Sequence, residues 1–308
     1  MHVVGGGTGV STGAGPVTVY ESLSTKGSSR ASATTDQRAE LHREAQRRLE
    51  QISGLHRAVF PTVERGRAPV PELAPFRHLL AAAEKQEFKR VRWWDRSGRK
   101  QARAAARTRA ERWATDLLTL REKEGRAEQA RLDAHWASLR DNDVRVLCSA
   151  LDMAFRSTGA PVESFSAHGD ETRLIVIGPG VTDMPTHKPT VTAGGALGAA
   201  RLNKTETADI HHDLLAARVL LVAKQSFATG VGLRAVRIVV REPETGEFLL
   251  GVGIRREGLP GVDWNRSAWQ ILSTLDPEIV VKERGRTRAL HAVDLSAHPA
   301  YSGFVPTD

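Results

Sequence analysis

The run Leu214-Leu215-Ala216-Ala217-Arg218-Val219-Leu220-Leu221-Val222-Ala223 constrains the fold more than any other stretch of the chain. It is apolar on nearly every side of a helix, and a helix of that kind is buried rather than laid on a surface. Asn203 and Glu206 stand before it with the spacing of a capping box, so a helix is predicted over residues 204–228. Around it the period changes from helical to alternating. Residues 162–166 and 173–177 read as two strands joined by a turn at His168-Gly169-Asp170. Residues 235–241 and 248–254 form a second pair around Pro243-Glu244-Thr245-Gly246, and residues 279–283 and 289–293 a third around Arg284-Gly285-Arg286. A short helix is expected over 264–275. Hairpin connections imply a mainly antiparallel sheet with helices on one face, so residues 141–300 are expected to form an α+β domain with a buried central helix. Residues 181–200, with Pro185, Pro189, Gly194 and Gly195, read as a long loop, and residues 301–308 as a tail.

Just before this domain, residues 133–159 read as two helical segments with a break. Leu132, Trp136 and Leu139 close the first at helical spacing. Asp141-Asn142-Asp143 then competes with the backbone, and Asp141 or Asp143 is suited to cap the second. Val144, Leu147, Leu151 and Phe155 line one face of that second helix, and Gly159 is a natural stop. The Asp-Asn-Asp run lacks the glycine and glutamate of a calcium loop, so capping is the better account.

Residues 35–140 read as a basic helical region. Thr34 and Gln37 are spaced like a capping box for a first helix, whose stripe is Leu41, Ala45, Leu49, Ile52 and Leu55. Prolines 61, 69, 71 and 75 punctuate the next part, and a second helix is expected over 76–89. Residues 89–112 hold ten Lys/Arg against two acids, Asp95 and Glu111, a net charge of +8 that equals the formal charge of the whole chain. From Arg99 a stripe of Ala102, Ala106, Ala110, Trp113, Leu117 and Leu120 predicts a helix running to Leu139, about 40 residues or roughly 60 Å. A helix that long usually pairs, here with the 35–58 helix or with a second copy of the chain. Arg99, Arg103 and Arg107 share one face of it. With Arg96, Lys100 and the tryptophans 93 and 94 they fit a surface that meets phosphates. The competing reading is a solvated outer face, with the tryptophans packed at the helix start. Nothing in this stretch reads bases specifically.

Other features narrow the function without fixing it. Cys148 is the one cysteine, so an internal disulfide is excluded, and its place beside an apolar face makes it a small buried hydrophobe. No window approaches the 18–20 or so apolar residues of a membrane span, and the start lacks the regions of a signal peptide, so a cytoplasmic protein is expected. Residues 1–25 carry six glycines and the alternation Val17-Thr18-Val19-Tyr20, a glycine-rich β fragment with neither phosphate-loop spacing. Residues 26–34 are a polar linker.

Chemistry has few footholds. His211-His212-Asp213 lies on the central helix, where adjacent histidines point about 100° apart and HExxH is absent. A PD-(D/E)xK nuclease would need a lysine where Arg173 follows Asp170 and Glu171, and no GxSxG elbow is present. Asp183 and His187, on the 181–195 loop, are the weak candidates for a hydrolase or nuclease site. No metal site and no cofactor are expected.

Several segments resemble a known group. The opening HVVGGGTGVSTGAGPVTVYESLS is similar to the last turn and strand of the glycine-rich module called domain of unknown function 4236. The arginine-alanine helix, LDAHWASLRDNDVRVLCSALDMAF, TETADIHHDLLAARVLLVAKQSFA and RGRTRALHAVDLS resemble the longer actinobacterial proteins that carry it. The basic first half of the module is missing, so Met1 reads as an internal start or a natural truncation. The resemblance implies an architecture and a host group, with no catalytic residues. The expectation is a bacterial binding or scaffolding protein whose helical arm self-associates or contacts nucleic acid.

Overall fold

The computed structural model describes residues 35–70, 72, 74–180 and 183–304. The expectations for residues 1–25, the 26–34 linker and the Thr34 cap lie outside the described residues. The chain divides into two compact units, one built from residues 64–138 and the other from the flanking segments that end at Val63 and begin at Leu139.

In the flanking segments, α1 (Thr35–Gly54) ends in a short 3-10 turn at Leu55–Arg57. This helix belongs with the α+β unit and not with the basic helical region 35–140. The reason is its buried stripe. Ala45, Ile52 and His56 are buried, and Ile52 packs with Met184 and Leu214. Leu41, assigned to that stripe, is exposed. His42 takes the inward position instead, its Nδ1 lying 3.1 Å from the Thr190 carbonyl and 2.9 Å from that of Gly198.

The 64–138 unit consists of α2 (Phe76–Phe88) and most of α3 (Arg96–Arg140), a helix of 45 residues. The partner of α3 here is α2, not the first helix of the chain. Ala83 of α2 is buried against Ala106 and Ala110, with Leu79, Leu80 and Trp113 around them. Further along, Gln129 accepts from the Ala68 amide at 2.9 Å and donates to the Gly66 carbonyl at 3.2 Å, while Arg65 pairs with Asp133 at 2.6 Å. Leu118 and Leu120, between these two covered parts, are exposed.

The α+β unit opens with α4 (Val144–Thr158). Asp143 is its cap, accepting from the Val146 amide at 3.0 Å, and Gly159 ends it with φ of 64°, a backbone that only glycine adopts without strain. Leu147, Leu151 and Phe155 face inward as expected. Val144, the first residue of the helix, is 53% exposed. Then come β1 (Val162–His168) and β2 (Glu171–Ile177), a hairpin turned at Gly169. Residues 181–200 are not one long loop. They contain β3 (His187–Val191) and β4 (Leu197–Arg201), a separate two-stranded sheet. Pro189 is tolerated because a two-stranded sheet consists of edges, and Gly195 at φ of 79° makes the turn.

The central helix α5 (Lys204–Thr229) follows, with the expected Asn203–Glu206 capping box. Every residue from Leu214 to Ala223 is buried except Arg218. Each such leucine or valine contributes about 1.5–3 kcal/mol of transfer free energy. The chain then forms β5 (Ala235–Arg241), β6 (Phe248–Arg255), α6 (Ala268–Leu275, capped by Ser267), β7 (Val280–Arg284) and β8 (Ala289–His291). Residues 264–267, expected to be helical, precede that cap.

Six strands make one sheet in the order β1-β2-β5-β6-β7-β8. Every pairing is antiparallel except β2 with β5, which the α5 crossover sets parallel, Glu171 opposite Ala235 and Ile177 opposite Arg241. One sheet face packs Leu174, Val176, Val236, Ile238 and Val252 into the core with α4, α5 and α6. The other face is covered by the C-terminal segment. Residues 301–304, assigned to a tail, are part of that cover, since Tyr301 is buried with Val239 and Leu295. Gly251 makes this closure possible, as a Cβ there would stand 3.2 Å from the Tyr301 ring. Among the described residues no helix is long and apolar enough to cross a membrane.

Candidate functional site

The basic stretch is organised by Asp95. Its carboxylate accepts from the Gly98 amide at 2.8 Å and its carbonyl from the Arg99 amide at 3.0 Å, so it starts α3. A Cβ on residue 98 would stand 2.4 Å from the Asp95 carboxylate, so glycine lets the cap seat. The short turn between α2 and α3 carries Trp93 and Trp94. They are 77% and 60% exposed, and they meet edge to face at 5.6 Å with an interplanar angle of 85°. The tryptophans do not pack at the helix start. The Arg92 guanidinium lies 5.5 Å from the Trp94 ring, and Arg99 donates to the Trp93 carbonyl at 3.4 Å while lying 5.9 Å from the Phe88 ring.

Beyond the turn, Arg96, Arg99, Lys100, Arg103 and Arg107 are all exposed. At 100° per residue they occupy an arc of about 100° of the helix, and at 1.5 Å per residue they span about 17 Å. Arg96, Lys100 and Arg103 have no carboxylate partner among the described residues, while Arg107 pairs with Glu111 at 3.1 Å. Arg109, which lies off this row, is tied to Glu87 at 2.7 Å and to Gln86 at 3.1 Å. The distal half of α3 is neutralised by its own pairs, Arg121 with Glu124 and Arg131 with Glu128. What the row can do chemically is attract and hold anions.

The structure gives Asp183 and His187 different partners. Asp183 accepts from the Gly180 amide at 3.2 Å and lies 3.5 Å from Arg218 of α5. His187 is exposed at the start of β3, beside the Thr186 hydroxyl at 2.9 Å. The two histidines of α5 also diverge. His211 meets the Pro179 carbonyl at 3.2 Å, whereas His212 is buried, stacked on Trp269 at 4.7 Å and 4.0 Å from Glu283. Burial holds both imidazoles below their ordinary pKa. Asp213 caps α6 by accepting from the Trp269 amide at 3.0 Å. Cys148 is half-buried against the core, and that burial pushes its thiol pKa up. Among the described residues no three His, Cys, Asp or Glu side chains converge as metal ligands would.

A groove of about 1440 Å³ lies over the sheet, lined in part by Glu171, Arg237, Gly253, Asp276 and Tyr301. Sequence reasoning missed it. Arg237 grips Glu171 with two hydrogen bonds, 3.2 and 2.8 Å, and donates to the Ala300 carbonyl at 3.0 Å. Arg173 adds a third bond to Glu171 at 3.1 Å. Burial pushes the Glu171 carboxyl up, but the two guanidiniums outweigh it and hold the pKa below the ordinary glutamate value. Asp276 accepts from the Gly253 amide at 2.7 Å, where β6 has run past its two-residue pairing with β7. Burial, with Asp276 beside it, pushes the Tyr301 phenol well above its usual range. These groups satisfy one another. The available signal was the alternation of charge in β2 and β5, which needs their parallel pairing to become a cluster.

Comparison with known proteins gave no matching family model, no matching curated protein and no matching solved structure.

Proposed function

We propose that this chain is a cytoplasmic binding or scaffolding protein whose α2–α3 unit contacts nucleic acid through the backbone phosphates. One observation carries the reading: five exposed cations stand along about 17 Å of α3, four of them (Arg96, Arg99, Lys100 and Arg103) without a carboxylate partner among the described residues. The mean axial spacing of the five charges is about 4 Å, close enough together to meet successive phosphates of one strand. Packing of α3 on α2 through Ala83, Ala106 and Ala110 supports it, since the backbone that carries the row is ordered before binding. The resemblance to actinobacterial proteins carries no activity, so the reading rests on this geometry.

The test is binding of labelled duplex and single-stranded DNA at two salt concentrations, with the intact chain and with Arg99→Glu/Arg103→Glu/Arg107→Glu. Affinity should fall by about 0.9 log units per phosphate contact per log unit of salt on duplex, and about 0.7 on single strands. The triple variant should lose that dependence by about three contacts while keeping its circular dichroism. No binding at low salt, or binding unchanged in the variant, would remove the proposal.

A further inference from the structure

We infer that Trp93 and Trp94 are a stacking platform for unpaired bases, so that the nucleic acid taken by the α3 row is single-stranded. This rests on the reading of that row as a phosphate-binding surface and names its substrate class. The argument begins with exposure. Two indoles at 77% and 60% exposure forgo the burial that tryptophan ordinarily finds. They touch each other and Arg92, and they belong to none of the buried clusters of their unit.

Geometry selects the ligand. The rings meet at 85°, edge against face, so they present planes at right angles to each other. Bases within a duplex are mutually parallel and cover one another's faces. A perpendicular pair of platforms cannot engage two neighbouring duplex bases. Two bases splayed on a flexible strand can each take one indole, as single strands do on aromatic side chains. Position completes the argument. The tryptophans sit on the turn that leads into Arg96, Arg99, Lys100 and Arg103, so a strand whose bases lie on the indoles has its phosphates beside the cation row. Arg92, 5.5 Å from the Trp94 ring, adds a cation beside the stacked base.

The experiment measures anisotropy of a labelled oligothymidylate and of a blunt mixed-sequence duplex of equal length, using the full chain. Trp93→Ala/Trp94→Ala and Trp93→Phe/Trp94→Phe are compared with it, and anionic phosphatidylserine vesicles serve as a third ligand. The single strand should bind more tightly than the duplex and quench tryptophan fluorescence. The alanine pair should weaken single-strand binding about 5- to 150-fold per stacked base, change duplex binding less than twofold, and be largely rescued by the phenylalanine pair. Equal binding of strand and duplex, unchanged in the alanine pair, would overturn the inference and leave the phosphate row standing. Binding to vesicles but to neither nucleic acid, lost in the alanine pair, would overturn it in favour of a membrane surface. No binding to any ligand would remove the phosphate row and this inference together. Both side chains are exposed, so neither variant puts folding at risk.

Discussion

Arginine is used in two opposite ways in this molecule. In the α+β unit several guanidiniums are committed. Arg173 and Arg237 hold Glu171, Arg218 lies against Asp183, and Arg241 pairs with Glu163. Arg256 goes further. It donates to the carbonyls of Leu233 at 2.6 Å, Phe227 at 2.9 Å and Gly230 at 2.6 Å, and lies 4.9 Å from the Phe227 ring. At the head of α3, Arg96 and Arg103 have no acid partner among the described residues, and the side chains point to water. The difference is set by what surrounds each arginine. A β-strand places an acid on the neighbouring strand, and a helix end supplies carbonyls. The Ala-Arg repeat of α3 supplies neither to Arg96 or Arg103. A chain rich in arginine is therefore ambiguous until its acids are placed, and a committed arginine contributes to stability while an uncommitted one is free to bind.

The sharpest way to test this contrast is Arg256→Ala. Its guanidinium satisfies carbonyls at the C-terminal end of α5, where the helix dipole also favours a cation. Leaving half-buried carbonyls without a donor should cost about 2–4 kcal/mol, seen as a lower midpoint in urea. Arg256→Lys should recover only part, since an ammonium cannot reproduce the planar fork. A wild-type midpoint in Arg256→Ala would break the claim that committed arginines hold this unit.

Glu171→Gln should have a smaller effect, about 1–2 kcal/mol, because the site is partly exposed and solvent screens the pair. Its pH dependence carries the sharper signature. The folded-state pKa of Glu171 lies below its unfolded value, so the stabilisation is present above about pH 4.3 and is lost as pH falls through the folded pKa. Urea midpoints at neutral and acid pH should converge for wild type and Glu171→Gln as pH falls. Parallel curves would show that the carboxylate charge adds nothing.

The same contrast explains what could be read from the chain alone. Helix α5 was legible because an apolar run on every face has one resolution, and its cap at Asn203 is a local hydrogen bond. Asp143 and Gly159 were legible for the same reason. The β3–β4 hairpin was not, because Pro189 and Gly194-Gly195 are loop signals unless the strands are edges. The partner of α3 was hidden by the blandness of an alanine stripe, which fits any small-residue face. The Glu171–Arg237 cluster depends on β2 pairing with β5 across more than fifty residues, and local pattern says nothing about that. At the candidate interface the cations were visible as composition. The exposure of Trp93 and Trp94 was one of two open readings, and local pattern did not choose between them. The structure decides it by leaving both indoles more than half exposed on the turn before α3.

The smallest expected effect on folding is the most informative about binding. Arg103 is exposed, in the middle of the row, with no acid partner among the described residues. Arg103→Ala should leave the melting temperature unchanged, because nothing in the fold loses a partner and alanine is the better helix former. If Arg103 neutralises one phosphate, releasing one fewer counterion lowers the salt slope on duplex by about 0.9, which at 0.1 M salt weakens binding about eightfold. Arg109→Ala is the matched control on the same helix. It breaks the contact with Glu87 and should lower stability while leaving the slope alone. Reversal of the two outcomes would mean that partnered and unpartnered arginines on α3 cannot be told apart by their acids. The division between holding and binding would then fail on the helix where it is drawn most plainly.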